Sequence, residues 1–107
     1  MKEWTGRRAE QMQDVLTKKG ETVSLPVSGF RGTARAGLTL YRGKYYYWKH
    51  DGTGNYFFYA PVVREVSKDE AIEILLENKK DKESFFEACK KLQIEIDEEE
   101  YESLLFS

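Results

Sequence analysis

Between positions 41 and 59, nine of nineteen residues are Tyr, Trp or Phe, and clusters of turn formers divide them. Arg42-Gly43 interrupts the run once, and His50-Asp51-Gly52-Thr53-Gly54-Asn55 interrupts it again. Aromatic and β-branched residues bounded by Gly, Asp and Asn are the mark of strands joined in hairpins. Such short connections force neighbouring strands to run antiparallel, because a parallel crossover needs a dozen residues or more. The expected strands are 38–41, 44–49 and 56–59, with 62–66 following Pro61. A β-like stretch at 21–25 ends at Pro26, a residue tolerated at a strand end or edge. Residues 28–37 hold three Gly and two Arg without a period and read as a loop.

Helical signals flank this region. Ala9, Met12 and Leu16 fall on one face of a 3.6-residue period, predicting a helix over 5–19 with Thr5 at the N-cap. Gly20 is expected to end it in the left-handed conformation. Ser67-Lys68-Asp69-Glu70 is a capping box, followed by an apolar face of Ala71, Ile72, Leu75 and Leu76 up to about Lys79. A helix over 82–92 carries Phe85, Phe86, Cys89 and Leu92 on one side. Leu92, Ile94 and Ile96 alternate, so a short strand competes there. Asp97-x-x-Glu100 opens a last short helix with Tyr101, Leu104 and Leu105 as its stripe. The fold class is therefore α+β: an antiparallel meander of three to four strands, about 22–66, packed against an N-terminal helix and two to three C-terminal helices. No repeat or linker divides the 107 residues, which read as a single domain.

Composition closes several functional classes. One Cys forms no disulfide within the chain, and one His with one Cys cannot complete a four-ligand zinc site. No apolar run approaches the ~18–20 residues of a membrane span, and no apolar stretch follows Met1-Lys2-Glu3-Trp4 as in a secretory signal. Aromatics reach 14%, which argues against disorder despite 34% charged residues. The expected setting is soluble and cytoplasmic, with no membrane, metal or cofactor.

The net charge of −2 hides a division. Residues 1–50 carry ten Lys/Arg and four Asp/Glu, whereas 51–107 carry seven and fifteen. The halves are thus +6 and −8, an asymmetry that bears on partners.

The aromatic run is the first functional candidate. Strand alternation puts Tyr45 and Tyr47 on one face and Tyr46 and Trp48 on the other. If helices cover one face only, about half of these rings are exposed; if both layers are covered, the rings are core. Arg31, Arg35, Arg42, Lys44 and Lys49 interleave with Tyr41, Tyr45, Tyr47 and Trp48. Tyr, Trp and Arg are enriched in protein-binding hot spots, so the first expectation is a non-enzymatic protein-interaction module of adaptor or inhibitor type. An open meander edge would also support a homodimer or strand addition. The alternative is single-stranded nucleic-acid binding, with cations on phosphates and rings stacked on bases. The second candidate is the acidic run, Glu95, Asp97, Glu98, Glu99, Glu100 and Glu102, which either docks a basic partner or solvates a helix N-terminus. An enzyme is the remaining alternative, without a complete constellation behind it. His50 and Asp51 are adjacent in an expected turn, Cys89 reads as a core thiol, and no Gly-Lys-Ser/Thr follows the glycines of 28–37.

Overall fold

The computed structural model describes residues 2–26, 35–50 and 61–106. Its elements run β1 (Glu3–Thr5), α1 (Gly6–Lys19), β2 (Glu21–Leu25), β3 (Arg35–Tyr41), β4 (Lys44–His50), β5 (Val62–Val66), α2 (Lys68–Asn78), α3 (Lys82–Lys91) and α4 (Glu98–Leu105). The strands form one antiparallel sheet in the order β1-β5-β4-β3-β2. The α+β class and the flanking helices are as expected, but the described residues give the sheet five strands. The expected strand at 56–59, the 51–55 turn and the 28–34 part of the expected loop lie outside the described residues.

The additional strand is β1, whose three residues are too few to show an alternating pattern. It pairs with β5 through Trp4 opposite Val63. Gly6 continues that pairing by donating its N–H to the Pro61 carbonyl at 3.1 Å, and its φ of +62° turns the strand directly into α1. Thr5 stands at the N-cap with no side-chain capping bond. β1 and β2 are opposite edges of the sheet, so α1 must cross its whole width. Fourteen helical residues span ~21 Å, and five strands ~4.8 Å apart span ~19 Å. The helix length therefore matches the sheet it covers.

Two local expectations are corrected. Gly20 is extended (φ −99°, ψ 173°) rather than left-handed. Its small size is needed instead for a close approach: a Cβ there would lie 2.6 Å from Thr39 Cγ2 and 2.8 Å from the Leu40 carbonyl oxygen. The alternation of Leu92, Ile94 and Ile96 produces no strand. Gln93 adopts φ +56°, the Ile94 N–H reaches the Cys89 carbonyl at 2.8 Å, and the Gln93 N–H reaches Lys90 at 3.2 Å. This is a Schellman ending of α3, and it buries Leu92 and Ile94 while leaving Gln93 in solvent. Residues 35–37 of the expected loop belong to β3, and His50 belongs to β4, paired with Arg35.

The sheet separates two cores. On one face Val23, Leu25, Leu38 and Val66 pack with Ala71, Leu75, Phe85, Cys89, Leu92 and Tyr101 from α2–α4. On the other Tyr46, Trp48 and Val63 pack with Ala9 and Leu16 from α1. The molecule is three layers thick: helix, sheet, helices. The expected caps form, with Ser67 Oγ accepting from the Glu70 N–H at 3.1 Å and Asp97 Oδ1 from the Glu100 N–H at 2.8 Å.

Candidate interaction surfaces

The residues singled out in the meander do not share a face. Tyr45, Tyr47 and Lys49 alternate toward the α2–α4 layer, whereas Tyr41, Lys44, Trp48 and Arg35 stand on the α1 side with Tyr46. Arg42 occupies the β3–β4 turn, and Arg31 lies outside the described residues. Both sets of rings are covered. Tyr46 and Trp48 are buried beneath α1, and Tyr45 and Tyr47 are half-buried against the other core.

Their polar atoms are engaged within the fold. Trp48 Nε1 donates to Thr39 Oγ1 at 3.1 Å, and Thr39 shares a 2.8 Å hydrogen bond with Thr22. That chain satisfies Thr39, which is fully buried. Trp48 lies directly over Gly37, where a Cβ would collide with the indole. The Tyr45 hydroxyl donates to the Leu92 carbonyl at 3.0 Å, joining β4 to the end of α3. Burial raises its pKa, with a smaller contribution from Cys89. Tyr46 is raised likewise, first by burial and then by Glu65.

The cations around these rings face acids and rings of the same sheet and its neighbouring helix. Lys44 pairs with Glu65 at 3.4 Å, and Arg64 pairs with Glu70 while its guanidinium lies 5.7 Å from the Tyr47 ring centroid. Arg42 stands 5.2 Å from the Tyr41 ring centroid. It is held by a two-residue turn in which Arg42 (φ +52°) and Gly43 (φ +76°) are both left-handed, the type I′ geometry of tight hairpins. The sheet edges are short. β1 has three residues, and on β2 the Lys79 ammonium donates to the Ser24 carbonyl at 3.1 Å.

A different surface emerges at α4. Its Tyr101 packs between Phe85 and Phe86 of α3, with centroids 4.9 and 5.4 Å away. This single anchor faces the helix inward. Leu104, Leu105 and Phe106 are 37, 51 and 87% exposed. The stripe Tyr101-Leu104-Leu105 reads as buried in the sequence, yet an eight-residue helix gripped at Tyr101 leaves its last turn beyond the α3 rings. The acids expected to dock a partner or solvate a helix end are here too. Glu98, Glu99 and Glu100 form the exposed first turn of α4, Glu102 is exposed further along, and Glu98 pairs with Lys82 at 3.0 Å.

Between α2 and α4 lies an open groove of about 690 Å³. Its apolar lining is Ile72, Ile96 and Leu104, and its acidic lining is Asp69, Glu73, Asp97, Glu99 and Glu100. Among the described residues no three His, Cys, Asp or Glu side chains are grouped to hold a metal ion, and no helix is long and apolar enough to cross a membrane. Cys89 is buried and its thiol is pushed up to about 11 by desolvation, far from the lowered value of a reactive nucleophile.

The architecture of the described residues defines the class: a five-stranded antiparallel α+β sheet with one helix on one face and three on the other. No family, curated protein or solved structure matches the chain.

Proposed function

We propose that this chain is a non-enzymatic protein-interaction domain that engages its partner through the α4 side. The observation that supports this reading is the run Leu104, Leu105 and Phe106, exposed together at the end of a helix whose other residues are polar except for the buried Tyr101. Contiguous apolar exposure on a folded surface marks contact sites. The aromatic run of β4, the first candidate from sequence, serves this reading as the rigid centre that carries the helices. Nucleic-acid stacking would need open rings beside open cations, whereas Tyr46 and Trp48 are buried under α1 and Tyr45 and Tyr47 are half-buried against the α2–α4 core.

A photo-crosslinking amino acid placed at position 105 of the full chain, expressed in its source cell, tests this. The expected result is a discrete protein adduct from position 105 and none from position 18 on α1. Absence of any adduct from 105, or equal labelling from both positions, overturns the proposal. An oligonucleotide panel at low salt checks the competing reading, since phosphate attraction is strongest there.

A further inference from the structure

We infer that the groove between α2 and α4 receives a cationic amphipathic helix of a partner protein. The inference rests on the interaction reading above and names the partner's chemistry.

The groove has the two-part chemistry such a ligand requires. Ile72, Ile96 and Leu104 provide apolar surface, and Leu105 and Phe106 stand exposed beside it along the chain. The periodicity explains why these residues meet. Asp69, Ile72 and Glu73 are spaced i, i+3, i+4 on α2. Ile96, just before the N-cap of α4, and Glu99, Glu100, Ser103 and Leu104 within it repeat the same spacing. Each wall therefore alternates apolar contact with carboxylate.

The charge on this surface has one sign. Five carboxylates line the groove and no Lys, Arg or His does. The ion pairs among the described residues engage none of those five. Asp97 Oδ1 accepts the Glu100 N–H as the helix cap at the groove. The described cations paired at its margins are engaged with other acids, Arg64 with Glu70 of α2 and Lys82 with Glu98 of α4. The complement is thus external: a helix with apolar side chains at i, i+3 or i+4 and i+7, flanked by Lys or Arg. α4 offers ~12 Å of wall, about two turns of such a helix.

The test titrates the full chain into fluorescently labelled helical peptides of 14 residues. One carries a Leu face flanked by Lys, the second replaces every Lys by Glu, and the third scrambles the Lys peptide to remove its apolar face. The expected order places the Lys amphipath first, with the Glu peptide at least 100-fold weaker and the scrambled peptide at least tenfold weaker. Glu73→Lys and Glu99→Lys are each expected to weaken the Lys amphipath about tenfold. Glu10→Lys, across the sheet on α1, should leave it unchanged. Equal binding of the Lys and Glu peptides, or equal loss with Glu10→Lys, overturns the inference. So does a dimer by light scattering that Glu99→Lys dissolves, because the occupant is then a second copy. An adduct from position 105 without peptide discrimination overturns only the cationic partner. Absence of both overturns the interaction reading as well.

Discussion

Residue Gln93 carries a left-handed backbone (φ +56°), and the two hydrogen bonds of this helix ending, donated by the Gln93 and Ile94 N–H groups, need only the peptide. A left-handed β-carbon costs ~1–2 kcal/mol, partly offset by the greater chain entropy glycine loses on folding. Gln93→Gly is therefore expected to raise unfolding stability by about 0.5–1 kcal/mol in urea titration. Gly37 presents the opposite situation, since its strand conformation is ordinary and the constraint is space. Gly37→Ala drives a methyl into the Trp48 indole and should destabilise by ~1–3 kcal/mol, with a change in Trp fluorescence. Cys89 links stability to pH. Its folded pKa of about 11 exceeds the ordinary thiol value of 9.0, so folding favours the neutral thiol. The stabilisation is whole below pH 9 and falls away as pH rises toward 11, up to ~2–3 kcal/mol. The raised Tyr45 and Tyr46 add to the alkaline loss above pH 10. Cys89→Ala should flatten the decline between pH 9 and 10 in urea titrations at stepped pH.

At the scale of elements, α1 depends on more than its apolar stripe. Gln13 is buried, and its Nε2 donates to the Lys49 carbonyl at 3.1 Å and to the Val62 carbonyl at 3.4 Å. Those carbonyls belong to a paired position of β4 and β5, so one amide ties the helix to two strands. Gln13→Leu is expected to cost ~1–3 kcal/mol, because apolar burial does not replace the lost donor. Leu16→Ala should cost ~2–5 kcal/mol through the cavity it leaves. The helices and their caps were legible in the sequence where short-range chemistry decides them: Ser67 with Glu70, Asp97 with Glu100, the Arg42-Gly43 turn. β1 was not, because three residues carry no period. The competing strand after α3 has a related explanation. Leu92, Ile94 and Ile96 alternate, but a left-handed residue between two buried ones produces the same pattern as a strand.

For the whole molecule, the sheet is a partition. The layer of α1 and the layer of α2–α4 meet opposite faces, while strands of the basic first half pack on helices of the acidic second half and Lys44 pairs with Glu65 across that division. Surface and core at α4 should separate experimentally. Phe106→Asp and Leu105→Asp are expected to change stability by no more than about 0.5 kcal/mol, as exposed positions do. Tyr101→Ala should cost ~3–5 kcal/mol by emptying the space between Phe85 and Phe86. Urea unfolding of the three variants checks the contrast.

The sequence by itself determined the hairpin, the caps, the two-faced strands and the charge division, since each follows from contacts within a few residues. Tertiary structure decided what covers each face. Period-two alternation tells which rings oppose one another, but only a helix long enough to cross five strands turns Tyr46 and Trp48 into core. It also decided that the Leu104–Phe106 end of α4 remains outside. The anchoring rings of α3 reach Tyr101, and a helix continues past its anchor at 1.5 Å per residue whatever its stripe suggests.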